Sequence, residues 1–351
     1  MGAAGGDGAR DRGETADFEA NILPTGTITL GRKGEKLAPI GSLKSAGAVA
    51  VTDGTTAGVQ NTEIMRRALE YAAMFGLVVL DHCQDSSMTA GAVMHEGVWS
   101  VRLGLRGFPA AAEEIVVASD ILLARLAHRE LLGGKDENIR VRIHLQHITS
   151  ANSLRFIRDA KADGVPVTAE VSANHLLLTD DLLRGYDTNL KLAAPLRSET
   201  DRLALLAALR DGTLDAVVSD HTPVTPTEKD CEFDYAPFGS IGLETALAAT
   251  ITAFAQATPE DIPLPLIVEK LTASPARVLG LDSGTLAVGK PADVVIFDPV
   301  EEWVPGETPF FSRSSNCALR GHKLRGRVKT TLVAGKIVFD NGQIFERENR
   351  E

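Results

Sequence analysis

The sequence predicts a parallel α/β barrel of the (β/α)8 type, incomplete at about six βα units and followed by a small β-domain. Three observations predict this. Short, continuously apolar runs recur through residues 17–282, helix-length stretches with cap signals separate them, and from residue 283 Gly- and Pro-punctuated strands take over. Apolar strands alternating with helices are what a parallel sheet covered by helices requires.

The elements follow in order. The strand candidates are "NILPTGTI" (21–28), "AVAVTD" (48–53), "LVVLDHC" (77–83), "RVRIHLQHI" (140–148), "VPVTAEV" (165–171) and "LDAVVSD" (214–220). The intervening helices include "NTEIMRRALEYAAMFG", "AAAEEIVVASDILLARLAHRELLGG", "SANSLRFIRDAKADG" and "RSETDRLALLAALRDG". Several open on Asn or Ser and close on Gly, which are cap signals. "GTLAVGKPADVVIFDP" and "GRVKTTLVAGKIVFDNG", within 283–345, read as β-strands joined by Gly, Pro and Asn-Gly turns. Residues 1–16 are rich in Gly, Ala and charge without periodicity and are expected to be disordered.

Composition excludes several classes. No apolar run approaches the roughly 20 residues that span a bilayer. The net charge of −11 weighs against nucleic acid and anionic membranes as partners. Cys83, Cys231 and Cys317 are scattered, with no CxxC and no disulfide framework. A reducing cytoplasm is the expected compartment.

Chemistry in such a barrel sits at the carboxyl ends of the strands. Those ends deliver Asp53, His82, His147 and Asp220. Two imidazoles and two carboxylates suit zinc or a similar divalent ion. Zinc lowers the pKa of a bound water to about 7, and a carboxylate beside it can pass the proton to a leaving nitrogen. Asp220 is the candidate for that role; its alternative is a carboxylate holding His221. His144 is expected to face the helices, and Cys83 to point away from the barrel interior. His175 either lines the mouth or caps a helix. His95, His128 and His322 read as local structure, and Arg102 to Arg106 as a solvated loop.

At these residues the chain resembles dihydroorotase of the bacterial type, in the cyclic amidohydrolase branch of the amidohydrolase superfamily. The resemblance runs from about Ala20 to Gly342 and rests on "DHCQD", "VMHEG" leading to "LGLRGFPAAAEE", "HLQHITSANS", "GYDTNLKLAAPLRSETDR", "SDHTP" and "EFDYAPFGSIGLETAL". "LTASPARVLGL" also matches. The resemblance implies that Asp53 bridges two zinc ions, that His82 and His147 hold one of them, and that Asp220 contacts the other as general base and acid. One zinc is expected here. The implied reaction is reversible closure of N-carbamoyl-L-aspartate to dihydroorotate, in pyrimidine biosynthesis.

Departures from the family shape the expectation. The family's opening HxH strand, and the substrate-binding Arg after it, have no counterpart in this sequence. A substrate-binding Asn is replaced at Ala193 or Ala194, and a His at Val224. Weak activity of this chain alone is therefore expected. "SDHTPV" also resembles noncatalytic dihydroorotase-like subunits that support aspartate carbamoyltransferase. Such a scaffold is the alternative, with an allantoinase or hydantoinase as a third reading. Beyond a small-molecule substrate, the expected partners are that carbamoyltransferase and further copies of the chain in a homo-oligomer.

Overall fold

The computed structural model describes residues 20–54, 58–132 and 140–345. The expected disorder of residues 1–16 lies outside the described residues. The first strands are β1 (Thr25–Gly26), β2 (Ala50–Val51) and β3 (Val78–His82). A short parallel pair, β4 (Met94–His95) and β5 (Gly107–Phe108), decorates the next connection. The series continues with β6 (Ile143–Gln146), β7 (Val167–Ser172) and β8 (Ala216–Val218). All six main strands pair in parallel in the order β1-β2-β3-β6-β7-β8. Each coincides with an apolar run read from the sequence, β7 passing the end of its run by one residue, Ser172. Among the described residues the sheet does not close: β1 and β8 are its edges. Beyond β8, His221 makes one isolated parallel bridge to Ser240.

Helices return the chain between strands: α1 (Thr62–Met74), α2 (Ala111–Leu132), α3 (Ala151–Ala162) and α4 (Glu199–Arg210). Their starts are set locally. Asn61, Ser150 and Ser198 each accept a backbone N–H of the first turn, satisfying donors the helix leaves open.

Alternation along the strands sorts residues to two faces. Val79, Ile143, Leu145, Ala169 and Val217 bury against helix residues such as Met65, Leu69, Leu154, Ile157 and Leu205. Ala50, Val78 and Leu80 form a second, smaller cluster. Register carries this second face across the sheet: Leu80 pairs His144, His82 pairs Gln146, and His144 pairs Thr168. His144 therefore shares the face of Leu80 and His82 rather than the helix face expected for it.

The chain ends in a four-stranded antiparallel sheet, ordered β12-β11-β10-β9: β9 (Val294–Trp303), β10 (Leu324–Val333), β11 (Lys336–Asp340) and β12 (Gln343–Ile344). Asn341 and Gly342, at φ 43° and 92°, make the tight turn into β12 that the Asn-Gly pair signals. The sheet docks on helix α5 (Ala246–Ala257). Thr252 Oγ1 there accepts Arg325 N at 2.8 Å. Gly326 passes so close that a Cβ would meet Ile251 Cδ1 at 2.7 Å. No helix among the described residues is long and apolar enough to cross a membrane.

Candidate metal centre at the strand ends

His82 closes β3 and is 4% exposed. Gly54, just past β2, makes this placement possible, since a Cβ there would lie 2.4 Å from His82 Cβ. His82 Nε2 lies 3.0 Å from Gln84 Oε1, and Gln84 Nε2 donates to Thr89 Oγ1 at 2.7 Å. The amide nitrogen is thus spent on Thr89, and Gln84 offers His82 an acceptor. His82 must donate from Nε2, which leaves the Nδ1 lone pair free. That Nδ1 is buried and has no hydrogen-bond partner. Burial, then the nearby His147 ring, pushes the His82 pKa down to about 4, so the ring is neutral at pH 7 and able to ligate.

His147 follows β6 with φ 51°, and Asp220 follows β8 with φ 45°. Left-handed backbone is uncommon outside glycine, and it turns both side chains inward from the strand ends. The His82 and His147 rings lie 5.7 Å apart at 59°. His147 Nε2 is 4.0 Å from Asp220 Oδ1, and its Nδ1 is 3.4 Å from Glu170 Oε1. Glu170 Oε2 also meets His144 Nε2 at 2.9 Å. Burial opposes ionisation of Glu170, but the His144 and His147 imidazoles outweigh it and hold the carboxyl below its usual pKa.

The structure brings His82, His147 and Asp220 to one mouth but turns Asp53 elsewhere. Asp53 Oδ1 accepts Ile28 N at 2.8 Å and Thr29 N at 3.0 Å, and Oδ2 accepts the Thr29 hydroxyl. Its carboxylate ties β2 to the end of β1. Asp220 does not hold His221, whose Nδ1 accepts Gly242 N at 3.2 Å. Ala193 lines the same cavity as His82 and His147, with only a methyl to offer. Val224 N donates to Asn316 Oδ1 at 3.1 Å, fastening that loop to the 314–316 segment. His175 is buried and donates from Nε2 to Ala194 O at 2.8 Å.

Sequence reasoning missed Glu170, Glu113 and Arg197. Glu113 accepts Ser150 N at 2.9 Å and the Thr149 hydroxyl. Arg197 reaches Thr149 Oγ1 at 2.9 Å and His95 Nδ1 at 3.0 Å, and lines the cavity. His95 is thereby part of the cavity's support. For Glu170 a signal existed: a lone acid inside the apolar run "VPVTAEV" is costly to bury unless paired. Arg102 lies in a short helix, stacked over Trp99 at 4.9 Å, rather than in a loop.

A second group lies behind His82. Asp81, Cys83 and Asp120 bring ligand-type atoms within 4.8 Å of one another, and all three are buried on the helix side of β3. Burial raises the pKa of all three, and the charge of Asp81 raises Asp120 further. A protonated thiol and two acids sharing a proton suit a proton-holding pair better than a metal site. Burial raises Asp81 to about 6 from its ordinary 3.8, although a hydrogen bond with Asp120 lowers it in part. The folded chain thus keeps a proton that the unfolded chain releases, so this group's contribution to stability falls as pH rises from 3.8 to about 6. Asp81→Asn should therefore help more at pH 8 than at pH 4, by on the order of 2–3 kcal/mol. Urea unfolding at both pH values checks this; an equal effect at both would rule it out.

Comparisons with known proteins show the family to which this fold belongs. A family model described as "Amidohydrolase family" matches residues 42–338. The chain is 46% identical over 322 residues to a dihydroorotase of Pelotomaculum thermopropionicum, covering 92% of this chain and 72% of that protein. It is 43% identical over 323 residues to a dihydroorotase of Geotalea daltonii, covering 92% and 72%. Among solved structures, an L-hydantoinase (dihydropyrimidinase) from Arthrobacter aurescens matches with TM-score 0.81 at 20% identity, covering 96% of this chain and 74% of that one. A D-hydantoinase matches with TM-score 0.71 at 25% identity, covering 88% and 67%. The likeness at 20% identity shows the fold alone.

Proposed function

Because the chain belongs to the amidohydrolase family and is a dihydroorotase-like hydrolase of cyclic amide bonds, we propose that it opens and closes the dihydroorotate ring at the His82–His147–Asp220 mouth. The observation that carries this reading is the convergence of two imidazoles with a carboxylate at the ends of three different strands.

The donor set fits a divalent ion. His82 Nδ1 is a buried lone pair without a partner, and His147 Nε2 faces Asp220. His82 and His147 would hold one zinc, with Asp220 beside it. When bound, such an ion supplies Lewis acidity that polarises the amide carbonyl and makes water more acidic. The protein's own part is proton transfer. Asp220 takes a proton from the attacking water as its oxygen bonds to the carbonyl carbon. It returns that proton to the ring nitrogen as the carbon–nitrogen bond breaks. In the reverse direction the same carboxylate removes the ureido proton. Burial of the surrounding walls keeps these charges effective.

Dihydroorotate carries a carboxylate, and binding it needs cationic or amide donors. Ala193 offers none. Orientation is worth roughly 7–11 kcal/mol in favourable cases, so this chain's turnover is expected to be weak. Following N-carbamoyl-L-aspartate and dihydroorotate by chromatography, with zinc-loaded protein, tests this. No interconversion at enzyme excess would overturn the catalytic reading, while turnover near the ordinary enzyme range of about 10 per second would overturn the expected weakness.

The methyl of Ala193 in the cavity wall favours one second reading, a noncatalytic support for aspartate carbamoyltransferase. Co-sedimentation with that enzyme, without any ring closure, is the outcome that distinguishes it. In either reading we place the protein in the cytoplasm, as a homo-oligomer.

A further inference from the structure

We propose that Glu170 is a positioning residue that fixes the tautomer of His147, with His144 and Thr168 aiming its carboxylate. The inference rests on the reading of His147 as a metal ligand and adds the device that prepares it.

The device is built by strand register. His144 on β6 pairs with Thr168 on β7. Two residues further along β7, Glu170 points to the same face, level with the end of β6. Thr168 Oγ1 meets His144 Nδ1 at 2.8 Å, so both ring nitrogens of His144 are engaged, one with Thr168 and one with Glu170. His144 is 2% exposed and Glu170 7%. Neither is open to substrate, and His144 has no nitrogen left for a metal. This accounts for a buried histidine on the inner face that the proposed reaction does not use.

The free oxygen of Glu170 then faces the one remaining imidazole. Its Oε1 lies 3.4 Å from His147 Nδ1, a buried nitrogen with no hydrogen-bond partner of its own. An ionised carboxylate only accepts, so the ring nitrogen beside it is stabilised as N–H. In a neutral imidazole the proton on Nδ1 leaves Nε2 as the lone pair, and Nε2 is the nitrogen that faces Asp220. Carboxylates that orient ligating histidines in this way typically change metal affinity ten- to a hundred-fold when removed.

Nitrogen NMR of the metal-free full chain, labelled on histidine, reads the tautomer directly, with His147→Ala supplying the assignment. In the wild type His147 is expected as the Nδ1–H form. Glu170→Met should shift it toward Nε2–H, and Glu170→Gln, whose carbonyl still accepts, should restore part of the Nδ1–H form. If Glu170→Met does not fold, His144→Leu, which removes the donor to Glu170 Oε2, leaves the carboxylate unaimed and should produce the same shift. An unchanged tautomer in these variants overturns the proposal. Zinc affinity by chelator competition gives the second reading. Glu170→Met should lose ten- to a hundred-fold, with no further loss in a His147→Ala background; equal loss in that background overturns the proposal. A tautomer shift in the variants, with a wild type that binds no zinc, would support the Glu170 assignment and sink the metal reading instead.

Discussion

Purified His82→Ala/His147→Ala protein is expected to retain no zinc, while Asp53→Asn retains nearly all of it. Tetrahedral zinc sites with four protein ligands bind with about 10–16 kcal/mol, or roughly 3 kcal/mol for each ligand. Removing two imidazoles should then cost on the order of 10⁴-fold in affinity or more. Asp53 makes the contrast because both its oxygens are committed to the Ile28–Thr29 backbone and the Thr29 hydroxyl. Its loss should appear as reduced stability, because backbone donors lose a charged acceptor. Elemental analysis after dialysis against a weak chelator decides both arms. Full zinc retention in the double variant would remove these imidazoles from the metal site. Loss of zinc in Asp53→Asn would restore Asp53 to the bridging role that the family resemblance implies.

Asp220→Asn should lower the single-turnover rate of dihydroorotate opening by about 10²–10⁴-fold. The amide keeps the size of the side chain but cannot take the proton from water. His82 and His147 are untouched, so zinc content should stay close to that of the wild type. The split between lost chemistry and retained metal identifies a proton-transfer group, because a purely structural carboxylate would lose both together. A rate within threefold of the wild type would exclude Asp220 as the base, whatever its distance from His147.

Much of this molecule was legible in its sequence because the information is local. An apolar run bounded by Gly or a cap residue specifies a buried strand wherever it sits, so all six parallel strands coincide with the runs read from the sequence, to within the one residue by which β7 is longer. The polar residue at the carboxyl end of such a strand must emerge at the strand ends, which is why His82, His147 and Asp220 could be picked out. Cys83 follows His82 and lies buried with Asp120 on the helix side, as period-two alternation requires. The Asn341–Gly342 turn was equally local.

What failed depended on geometry beyond the strand or on distant partners. His144 and His147 are three apart, so a regular strand would place them on opposite faces. The left-handed backbone at His147 breaks that phase and lets both turn inward. Asp53 lies beyond the last paired residue of β2, where alternation no longer binds. Its direction was decided by two open backbone N–H groups, of Ile28 and Thr29, just past β1. Glu113, Glu170 and Arg197 reach the site through partners far away in sequence: Glu170 meets His144 across 26 residues, Glu113 meets Ser150 across 37, and Arg197 meets His95 across 102. The sequence determined the strands, their order of appearance and the residues at their ends, because hydrophobic pattern and turn chemistry act over a few neighbours. Tertiary structure alone decided which of those ends meet, because register, loop backbone and the satisfaction of buried polar groups are set by segments far apart in the chain.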